Sequence, residues 1–380
     1  MWHEFERELE QHEAAGRKRT LRLLPEKTLD IASNDYLGLA RHPEVVSAAQ
    51  EAAQQFGAGA RASRLVSGHF SLAQELENEL ARFKGSEASL VFSSGFATNV
   101  GILSALSNDS TTLFCHKRNH ASLIDGCRLA EAKGATTRYF ESTDKLRALL
   151  QNSTASRKIV LADGVFSMDG DLLPLPEVLA LCDEFDALLM IDDAHGTGTL
   201  GGTGRGIEEH LGIHSERILT VGTLSKALGS QGGFVCGPRV AIDHFLAAAP
   251  SFIYSTGLNP PAVGAALAAL HVLQREPQRV ARCRYNARQL ASGLVELGFD
   301  ARFSGTPIVP VIVGGDHAAL DLSACLEEQG IWCPAIRPPT VPRGTARLRL
   351  TACSEWTADE IDQILFRFAS VKKSCDSGER

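Results

Sequence analysis

Short apolar runs alternate with helical patterns through most of the chain. Between residues 70 and 240, segments with the period of an amphipathic helix separate most of the runs, for example Leu175–Phe185 after Pro174. Alternation of strands and helices is typical of a mostly parallel sheet covered on both faces, so the pattern predicts an α/β fold. The predicted strands are Ser89–Phe92, Thr112–Cys115, Thr136–Phe140, Lys158–Ala162, Leu188–Ile191, Ile218–Val221 and Gly233–Cys236.

The two ends of the chain have different patterns. Residues 2–24 predict an amphipathic helix, followed by a short strand that ends near Ser33. Beyond Pro260 a long Ala/Leu helix is predicted, and the elements after it are strand Ile308–Val313, helix Ala318–Gln329, strands near Trp332–Ile336 and Ala346–Thr351, and a helix from Thr357. The chain is therefore expected to have three parts: an N-terminal helix and arm (1–45), a large α/β domain (46–265) and a smaller C-terminal α+β domain (266–380).

Composition and charge argue against several classes of protein. The formal charge of −7, without a dense basic patch, argues against nucleic-acid binding. The most apolar stretch, Ala262–Leu273, is far shorter than the roughly 20 residues of a membrane span, and the charged N-terminus lacks the apolar core of an export signal. Nine cysteines without a CxxC pair are typical of reduced thiols, so we expect a cytoplasmic protein.

Two carboxylates and a histidine follow the strand Leu188–Ile191. Asp192, Asp193 and His195 stand where parallel sheets bind ligands, outside the carboxyl ends of the strands. One interpretation is structural, with Asp192 as a helix cap and His195 as a hydrogen-bonded packing residue. The other is that Asp192 pairs with a buried cation such as a pyridinium nitrogen, whose pKa the carboxylate raises. The motif alone leaves both open.

The same segment contains a literal G-x-G-x-x-G, from Gly196 to Gly201. A dinucleotide-binding loop requires that the last glycine begin a helix. Here the chain continues Gly202-Thr203-Gly204-Arg205-Gly206, and a run so rich in glycine propagates a helix poorly. We therefore reject the dinucleotide interpretation.

Lys226 differs from an ordinary surface lysine in its sequence setting. It follows an apolar strand, and the hydroxyl residues Thr223 and Ser225 precede it. Hydroxyl and backbone donors suit a phosphate, whereas a partly desolvated lysine has a lowered amine pKa and attacks aldehydes. A strand with Asp-x-x-His followed by a strand with Ser-Lys is much more specific than either motif alone.

Two further turns are candidates for a cofactor pocket. Ser93-Ser94-Gly95 joins a strand to a predicted helix, whose N-terminal N–H groups favour an anion. His120 follows the next strand, where its ring can stack on an aromatic cofactor. The alternatives for His120 are an exposed turn residue or a metal site with His116. The metal site is disfavoured because no carboxylate or cysteine stands at ligand spacing.

With these motifs the chain resembles the α-oxoamine synthases, a branch of the fold-type-I pyridoxal-phosphate-dependent transferases. The resemblance implies the fold of that branch, pyridoxal 5'-phosphate as the cofactor, no metal, and a homodimer with a shared active site. It extends over nearly the whole length, and its motifs are Ser33–Leu39, Gly57–Gly68, Gly164–Gly170, Asp192–Gly196, the Lys226 segment and Ile253–Thr256.

The resemblance also implies a role for each matching residue. Lys226 would hold the cofactor as a Schiff base and serve as acid and base at the substrate Cα. Asp192 would hold the pyridinium proton, and His120 would stack on the ring. His195 and Ser167 would hydrogen-bond the region of the phenolic oxygen. The other implied cofactor contacts are Gly95, Phe96 and Thr223 from one subunit, and Ser255 and Thr256 toward the phosphate of the neighbouring subunit.

An amino acid and an acyl thioester are the implied substrates. Arg349 would clamp the amino-acid carboxylate in a bidentate fork, with Asn34 as a helper. The candidates for the acyl substrate are Thr340 and an N-terminal arginine, Arg19 or, in another register, Arg22.

The segment Ala335–Arg349 favours one branch of this family, which joins L-alanine to a pimeloyl thioester in biotin biosynthesis. The resemblance leaves open whether the pimeloyl group arrives on coenzyme A or on an acyl-carrier protein. One alternative is a sister enzyme that condenses glycine or serine with an acyl thioester. Another is a homologous subunit without catalytic activity, against which the presence of Lys226 argues.

Overall fold

The computed structural model describes residues 2–14 and 21–376, with side chains as far as residue 373. Within these ranges, no helix is both long enough and apolar enough to cross a membrane. The helices are Trp2–Ala14 (α1), Pro43–Phe56 (α2), Ser71–Lys84 (α3), Gly95–Leu106 (α4), Ala121–Glu131 (α5), Thr143–Gln151 (α6), Leu175–Glu184 (α7), Ile207–Leu211 (α8), Arg239–Ala248 (α9), Pro250–Ile253 (α10), Pro260–Arg275 (α11), Gln278–Glu296 (α12), Asp316–Glu328 (α13) and Ala358–Asp376 (α14). The strands are Leu29–Asp30 (β1), Ala88–Phe92 (β2), Thr111–His116 (β3), Thr136–Phe140 (β4), Arg157–Asp163 (β5), Leu188–Asp192 (β6), Ile218–Thr223 (β7), Gly233–Gly237 (β8), Asp300–Ala301 (β9), Ile308–Gly314 (β10), Ile331–Trp332 (β11), Ala335–Ile336 (β12) and Ala346–Thr351 (β13).

The central sheet has seven strands in the order β2-β8-β7-β6-β5-β3-β4. Neighbouring strands are parallel except at β8, which pairs antiparallel with both β2 and β7. All seven strands predicted from the sequence are present, with ends that differ by at most two residues. The prediction of a mostly parallel α/β sheet is confirmed.

Helices cover both faces of this sheet because successive strand residues point to opposite sides. On β5, Leu161 belongs to a buried cluster with Ile102 of α4 and Leu123 of α5. Its neighbour Val160 belongs to the cluster on the other face, with Leu181 of α7. Burial on both faces explains why these strands read as nearly continuous apolar runs in the sequence.

A second, antiparallel sheet follows in the C-terminal part of the chain, with the strand order β12-β13-β10-β9. Leu348 and Leu350 of β13 are buried in a cluster with residues of α12 and α14. Arg347 and Arg349 alternate with these leucines and therefore lie on the opposite face of the strand. The α+β character of this region agrees with the prediction.

The predicted N-terminal helix is too long. Helix α1 ends at Ala14, residues 21–28 are not helical, and residues 15–20 lie outside the described residues. Leu21 and Leu23 are fully exposed, and Pro25 disfavours helical backbone at the residue before it. The strand predicted before Ser33 is only the two-residue β1, which pairs in parallel with β11.

The division into three parts at residues 45 and 265 stays a prediction. Both positions lie inside helices, α2 and α11, that pack on each other. Val45 of α2 and Val263 and Ala266 of α11 share one buried cluster. Residues before and after the large sheet therefore contribute to the same core.

Candidate active site

The carboxyl ends of the parallel strands bring several predicted site residues together. Asp163 ends β5 and Asp192 ends β6, and these two residues stand in register on neighbouring strands. His120 follows β3, and Thr223 ends β7. Ligands of open α/β sheets bind at this edge. The topology of the sheet thus assembles residues that are far apart in the sequence.

Lys226 lies in a turn after β7 that is closed by a 3.0 Å hydrogen bond from the N–H of Leu224 to the carbonyl of Gly232. Its Nζ is 3.0 Å from Nε2 of His195. Burial of the amine lowers the pKa of Lys226 to about 8, even though the charge of Asp192 acts in the opposite direction. A larger fraction of this amine is therefore neutral and nucleophilic at neutral pH than in an exposed lysine.

Tyr36 contacts His195 on the side of the ring opposite Lys226. The buried Tyr36 hydroxyl is 2.7 Å from Nδ1 of His195 and donates to Oδ1 of Asn34 at 2.9 Å. Because its proton goes to Asn34, the hydroxyl oxygen accepts the Nδ1–H of His195. This tautomer directs the Nε2 lone pair toward Lys226. Burial, reinforced by the charge of Lys226, holds the pKa of His195 well below its usual range, so the ring is neutral at neutral pH.

Arg349 on β13 reaches the same group of residues from the smaller sheet. Its guanidinium donates to Oδ1 of Asn34 at 3.2 Å and to the hydroxyl of Tyr36 at 3.3 Å, and its Nε donates to the carbonyl of Ser167. All three acceptors are neutral oxygens, so these contacts do not pair the positive charge of Arg349 with a carboxylate. A planar guanidinium in this state suits a carboxylate ligand.

Asp192 is buried and is held by two neutral donors. Nδ2 of Asn99 donates to its Oδ2 at 2.7 Å, and the N–H of Ala194 donates to its Oδ1 at 3.1 Å. Burial and the charge of Asp192 together raise the pKa of the neighbouring Asp163 well above its usual range. The raised pKa favours the neutral form of Asp163. The carboxylate of Asp192, held by neutral donors, suits a cationic partner.

His120 begins α5 as its N-cap residue. Its Nδ1 is 2.7 Å from the hydroxyl of Ser122, and its N–H donates to both carboxylate oxygens of Asp163, at 3.2 and 3.1 Å. His120 keeps an exposed surface, and partial desolvation of its ring lowers its pKa despite the opposing charge of Asp192. His116 is in a different environment, buried against Phe166 with a ring-centroid distance of 4.6 Å. A metal site shared by these two histidines is therefore not supported.

The start of α4 lies beside the end of β7. Ser94 is the N-cap of α4 and accepts the N–H of Ala97 at 3.1 Å. A Cβ added to Gly95 would lie 3.5 Å from the side chain of Thr223, so the helix N-terminus and the Thr223 hydroxyl are close together. Phe96 is 47% exposed on this first turn. N–H groups of a helix N-terminus and a hydroxyl suit a phosphate.

The remaining predicted residues form no hydrogen bond with Lys226, His195 or Arg349 within the described part of the chain. Ser255 and Thr256 line a small cleft with Ser93, and Thr256 also forms a bridge with Ser63. Thr340 is exposed and donates its N–H to the carbonyl of Arg337.

Of the two candidate N-terminal arginines, Arg22 pairs with Glu327 and lies over the ring of Trp332. Arg22 is thus engaged within its own chain. Arg19 lies outside the described residues.

Three residues of the site had no role assigned from the sequence. Tyr36 lies within the Ser33–Leu39 motif, but only the fold shows that its hydroxyl meets His195. Asn99 stands among apolar residues of α4, and a buried amide in such a helix was an available signal. Asp163 ends a strand in register with Asp192, and this pairing depends on the strand order.

These residues fit pyridoxal phosphate. The carboxylate of Asp192 suits the ring nitrogen, the amine of Lys226 suits the aldehyde, and the exposed ring of His120 suits stacking. Among the described residues, Oδ1 of Asn99 is buried without a hydrogen-bond partner, next to the donor that holds Asp192. The turn Ser93-Ser94-Gly95, whose N–H groups suit a phosphate, lies at the same edge of the sheet.

The fold and this set of residues define a fold-type-I pyridoxal-phosphate-dependent transferase. The family model for class I and II aminotransferases matches residues 26–368. An 8-amino-7-oxononanoate synthase of Lysinibacillus sphaericus is 42% identical, over 97% of this chain and 98% of its own. Another from Cupriavidus necator is 46% identical, over 90% and 87%. The chain therefore belongs to the class I and II aminotransferases and, among them, to the 8-amino-7-oxononanoate synthase family of acyltransferases.

Solved structures give the same fold. A serine palmitoyltransferase from Sphingomonas wittichii has a TM-score of 0.91 at 28% identity and covers 98% of this chain and 97% of its own. An 8-amino-7-oxononanoate synthase from Francisella tularensis has a TM-score of 0.77 at 27% identity, over 92% and 99%. A serine palmitoyltransferase from S. paucimobilis, with a TM-score of 0.91 at 28% identity over 98% of each chain, carries the cofactor. The predicted fold and cofactor are confirmed.

Proposed function

We propose that this enzyme condenses L-alanine with a pimeloyl thioester and releases carbon dioxide and the thiol carrier, as a homodimer in the cytoplasm. The observation that carries the proposal is the convergence of Lys226, His195 and Arg349. The amine of Lys226 contacts His195, His195 contacts Tyr36, and Tyr36 accepts a hydrogen bond from Arg349. A nucleophilic amine and a guanidinium suited to a carboxylate thus lie at the two ends of one short hydrogen-bond network. The two ends of an α-amino acid require this pair of groups.

Each reacting residue has a defined task. Pyridoxal phosphate, when bound, supplies an aldehyde for amine capture and a ring that withdraws electrons from the amino-acid Cα. Arg349 binds the substrate carboxylate and sets the direction of the Cα–H bond. The Nζ of Lys226, once free, removes the Cα proton and later returns one, as a lowered pKa favours. Asp192 stabilises positive charge at the ring nitrogen.

His195 keeps the amine of Lys226 in position through its Nε2. Because His195 is neutral, it accepts a hydrogen bond from Lys226 without adding a positive charge that would repel it. His120 supports the ring face, and Ser167 lies next to Arg349 through its carbonyl. For the acyl substrate we propose Thr340 and Arg19, because Arg22 pairs with Glu327.

The homodimer is supported by exposed apolar side chains around Ser255 and Thr256. Tyr254 is 86% exposed, and Leu65 and Val66, in the loop that bridges to Thr256, are 50% and 79% exposed. Large apolar side chains exposed on two loops that are bridged to each other are typical of an interaction surface. Association of two copies there would bring Ser255 and Thr256 toward the phosphate of the other subunit.

A product assay tests the substrates. Holoenzyme is incubated with L-alanine, glycine or L-serine and with pimeloyl-coenzyme A or pimeloyl-acyl-carrier protein, and the amino ketone is identified by mass spectrometry. We expect product from L-alanine with at least one of the two donors. Product from glycine or serine but none from alanine, with both donors present, would overturn the proposal.

A serine condensation is the second candidate, because the serine palmitoyltransferase structures match with a higher TM-score than the Francisella synthase. Sequence identity favours the first candidate: 42% and 46% to the synthases against 28% to that palmitoyltransferase. The same assay with L-serine and palmitoyl-coenzyme A separates the two.

A further inference from the structure

Strand β13 presents two arginines on one face, and they have different partners. Arg347 and Arg349 are two residues apart and therefore point to the same side of the strand. Arg347 donates to the carboxylate of Asp169 and, at 3.4 Å, to the carbonyl of Met168. Arg349 donates to the carbonyl of Ser167 and to neutral side-chain oxygens. Both arginines thus meet the segment Ser167–Asp169, and Asp169 pairs with Arg347.

Asp169 also joins this face to the turn that carries His120. The guanidinium of Arg118 lies 3.6 Å from Oδ2 of Asp169 and forms two hydrogen bonds with Asp171, at 3.1 and 2.7 Å. The side chain of Arg347 is only 5% exposed, whereas that of Arg118 is 46% exposed. Exclusion of water strengthens the attraction between opposite charges, so the contact of Asp169 with Arg347 is stronger than its contact with Arg118.

We propose that Asp169 is a positioning residue for the amino-acid substrate. By pairing with Arg347 it fixes β13 against the segment Ser167–Asp169, and it leaves Arg349 as the cation on this face that is available to a carboxylate. A bidentate clamp needs a fixed orientation, so a small shift of β13 weakens substrate binding. The inference rests on the proposed role of Arg349.

The test compares two amines that differ in their carboxylate. Holoenzyme with Asp169→Asn is titrated with L-alanine and with ethylamine, and the absorbance change of the bound cofactor gives each Kd. We expect the Kd for L-alanine to rise roughly tenfold or more, the scale of one lost charge-assisted hydrogen bond, and the Kd for ethylamine to stay unchanged. The matched control is Asp171→Asn, which removes a partner of Arg118 but none of Arg347, and we expect both Kd values to stay unchanged.

Two more variants complete a double-mutant cycle. Arg347→Gln should show the same selective loss for L-alanine, and the double variant should be no weaker than either single variant, because the two residues act as one pair. In the cofactor-free protein, amide hydrogen exchange of residues 167–171 should be faster in Asp169→Asn than in Asp171→Asn.

Several results would overturn the inference. They are equal losses for L-alanine and ethylamine, a selective loss as large in Asp171→Asn, or no loss in Asp169→Asn. Arg349→Ala separates this inference from the proposed function. If that variant binds L-alanine normally, the clamp itself is wrong and both fail. If it loses L-alanine binding but Asp169→Asn does not, only the role of Asp169 fails.

Discussion

The reactivity of Lys226 depends on the protein around its amine. The turn after β7 places Nζ beside the neutral ring of His195, and burial lowers its pKa to about 8. The shift from 10.5 corresponds to about 3 kcal/mol against the protonated form. At neutral pH the folded chain therefore holds a lysine that loses its proton much more readily than a surface lysine.

The pH dependence of cofactor capture follows from this pKa. Cofactor-free protein is mixed with pyridoxal phosphate at a series of pH values, with Lys226→Ala as background and a blocked lysine as reference. Below pH 8 the rate constants of both amines should rise about tenfold per pH unit, because each amine must lose a proton. Above pH 8 the rate constant for Lys226 should level off, whereas that of the reference should continue to rise until the pH reaches the ordinary lysine pKa of about 10.4. A profile for Lys226 parallel to the reference at every pH would contradict the lowered pKa.

Contacts between residues that are far apart in the sequence could not be predicted from motifs. Motifs predicted Lys226, Asp192, His195 and His120, because each follows a strand whose end the pattern locates. The hydrogen bond between Tyr36 and His195 joins residues 159 positions apart, and no periodicity carries that information. The tautomer of His195, and hence its role toward Lys226, depends on this contact.

Elements were easier to predict than their ends or their partners. The seven strands of the large sheet were predicted because burial on both faces leaves continuous apolar runs. Their order in space was not predicted, and it is this order that places Asp163 beside Asp192. The N-terminal helix was predicted too long because its apolar positions keep a helical spacing as far as Leu24, although Pro25 disfavours helical backbone just before it.

Strand β8 packs against the start of α4, and Gly233 allows the two backbones to approach closely. A Cβ on Gly233 would lie 2.5 Å from both Cα and N of Gly95, so Gly233→Ala must push the start of α4 away. We expect affinity for pyridoxal phosphate to fall roughly tenfold or more, since the helix N-terminus is displaced from the phosphate. Fluorescence titration of cofactor-free protein measures this affinity.

The control lies at the other end of the same strand. A Cβ on Gly237 would meet the end of the flexible Leu219 side chain at 2.6 Å, so Gly237→Ala should leave cofactor affinity unchanged. Urea unfolding of both variants reports whether each is folded. Equal affinities for Gly233→Ala and the unsubstituted chain would show that α4 does not hold the phosphate.

At the scale of the molecule, the proposed dimer completes a site that one chain leaves divided. The proposed catalytic residues meet at the edge of the large sheet, whereas Ser255 and Thr256 lie in a cleft beside an exposed apolar loop. The sequence indicated this arrangement only through its resemblance to a family, because contacts between subunits leave no periodic pattern in one chain.

Mixing two inactive variants tests the shared site. Lys226→Ala removes the amine, and Thr256→Glu places a negative charge toward the proposed phosphate. In a hybrid dimer both changes fall in one site and the other site is intact, so activity should return to about a quarter of normal at equal mixing. Each variant alone must be dimeric and inactive. A mixture that remains inactive, although hybrids are present, would contradict a site built from both subunits.

The most direct measurement is the position of the covalent adduct. Holoenzyme is reduced with sodium borohydride and digested, and the peptides are sequenced by mass spectrometry. We predict one pyridoxyl phosphate group per chain, on the peptide that contains Lys226, and none in Lys226→Ala. A stoichiometric adduct on another lysine, or product formation by a chain without any reducible adduct, would contradict the assignment of Lys226.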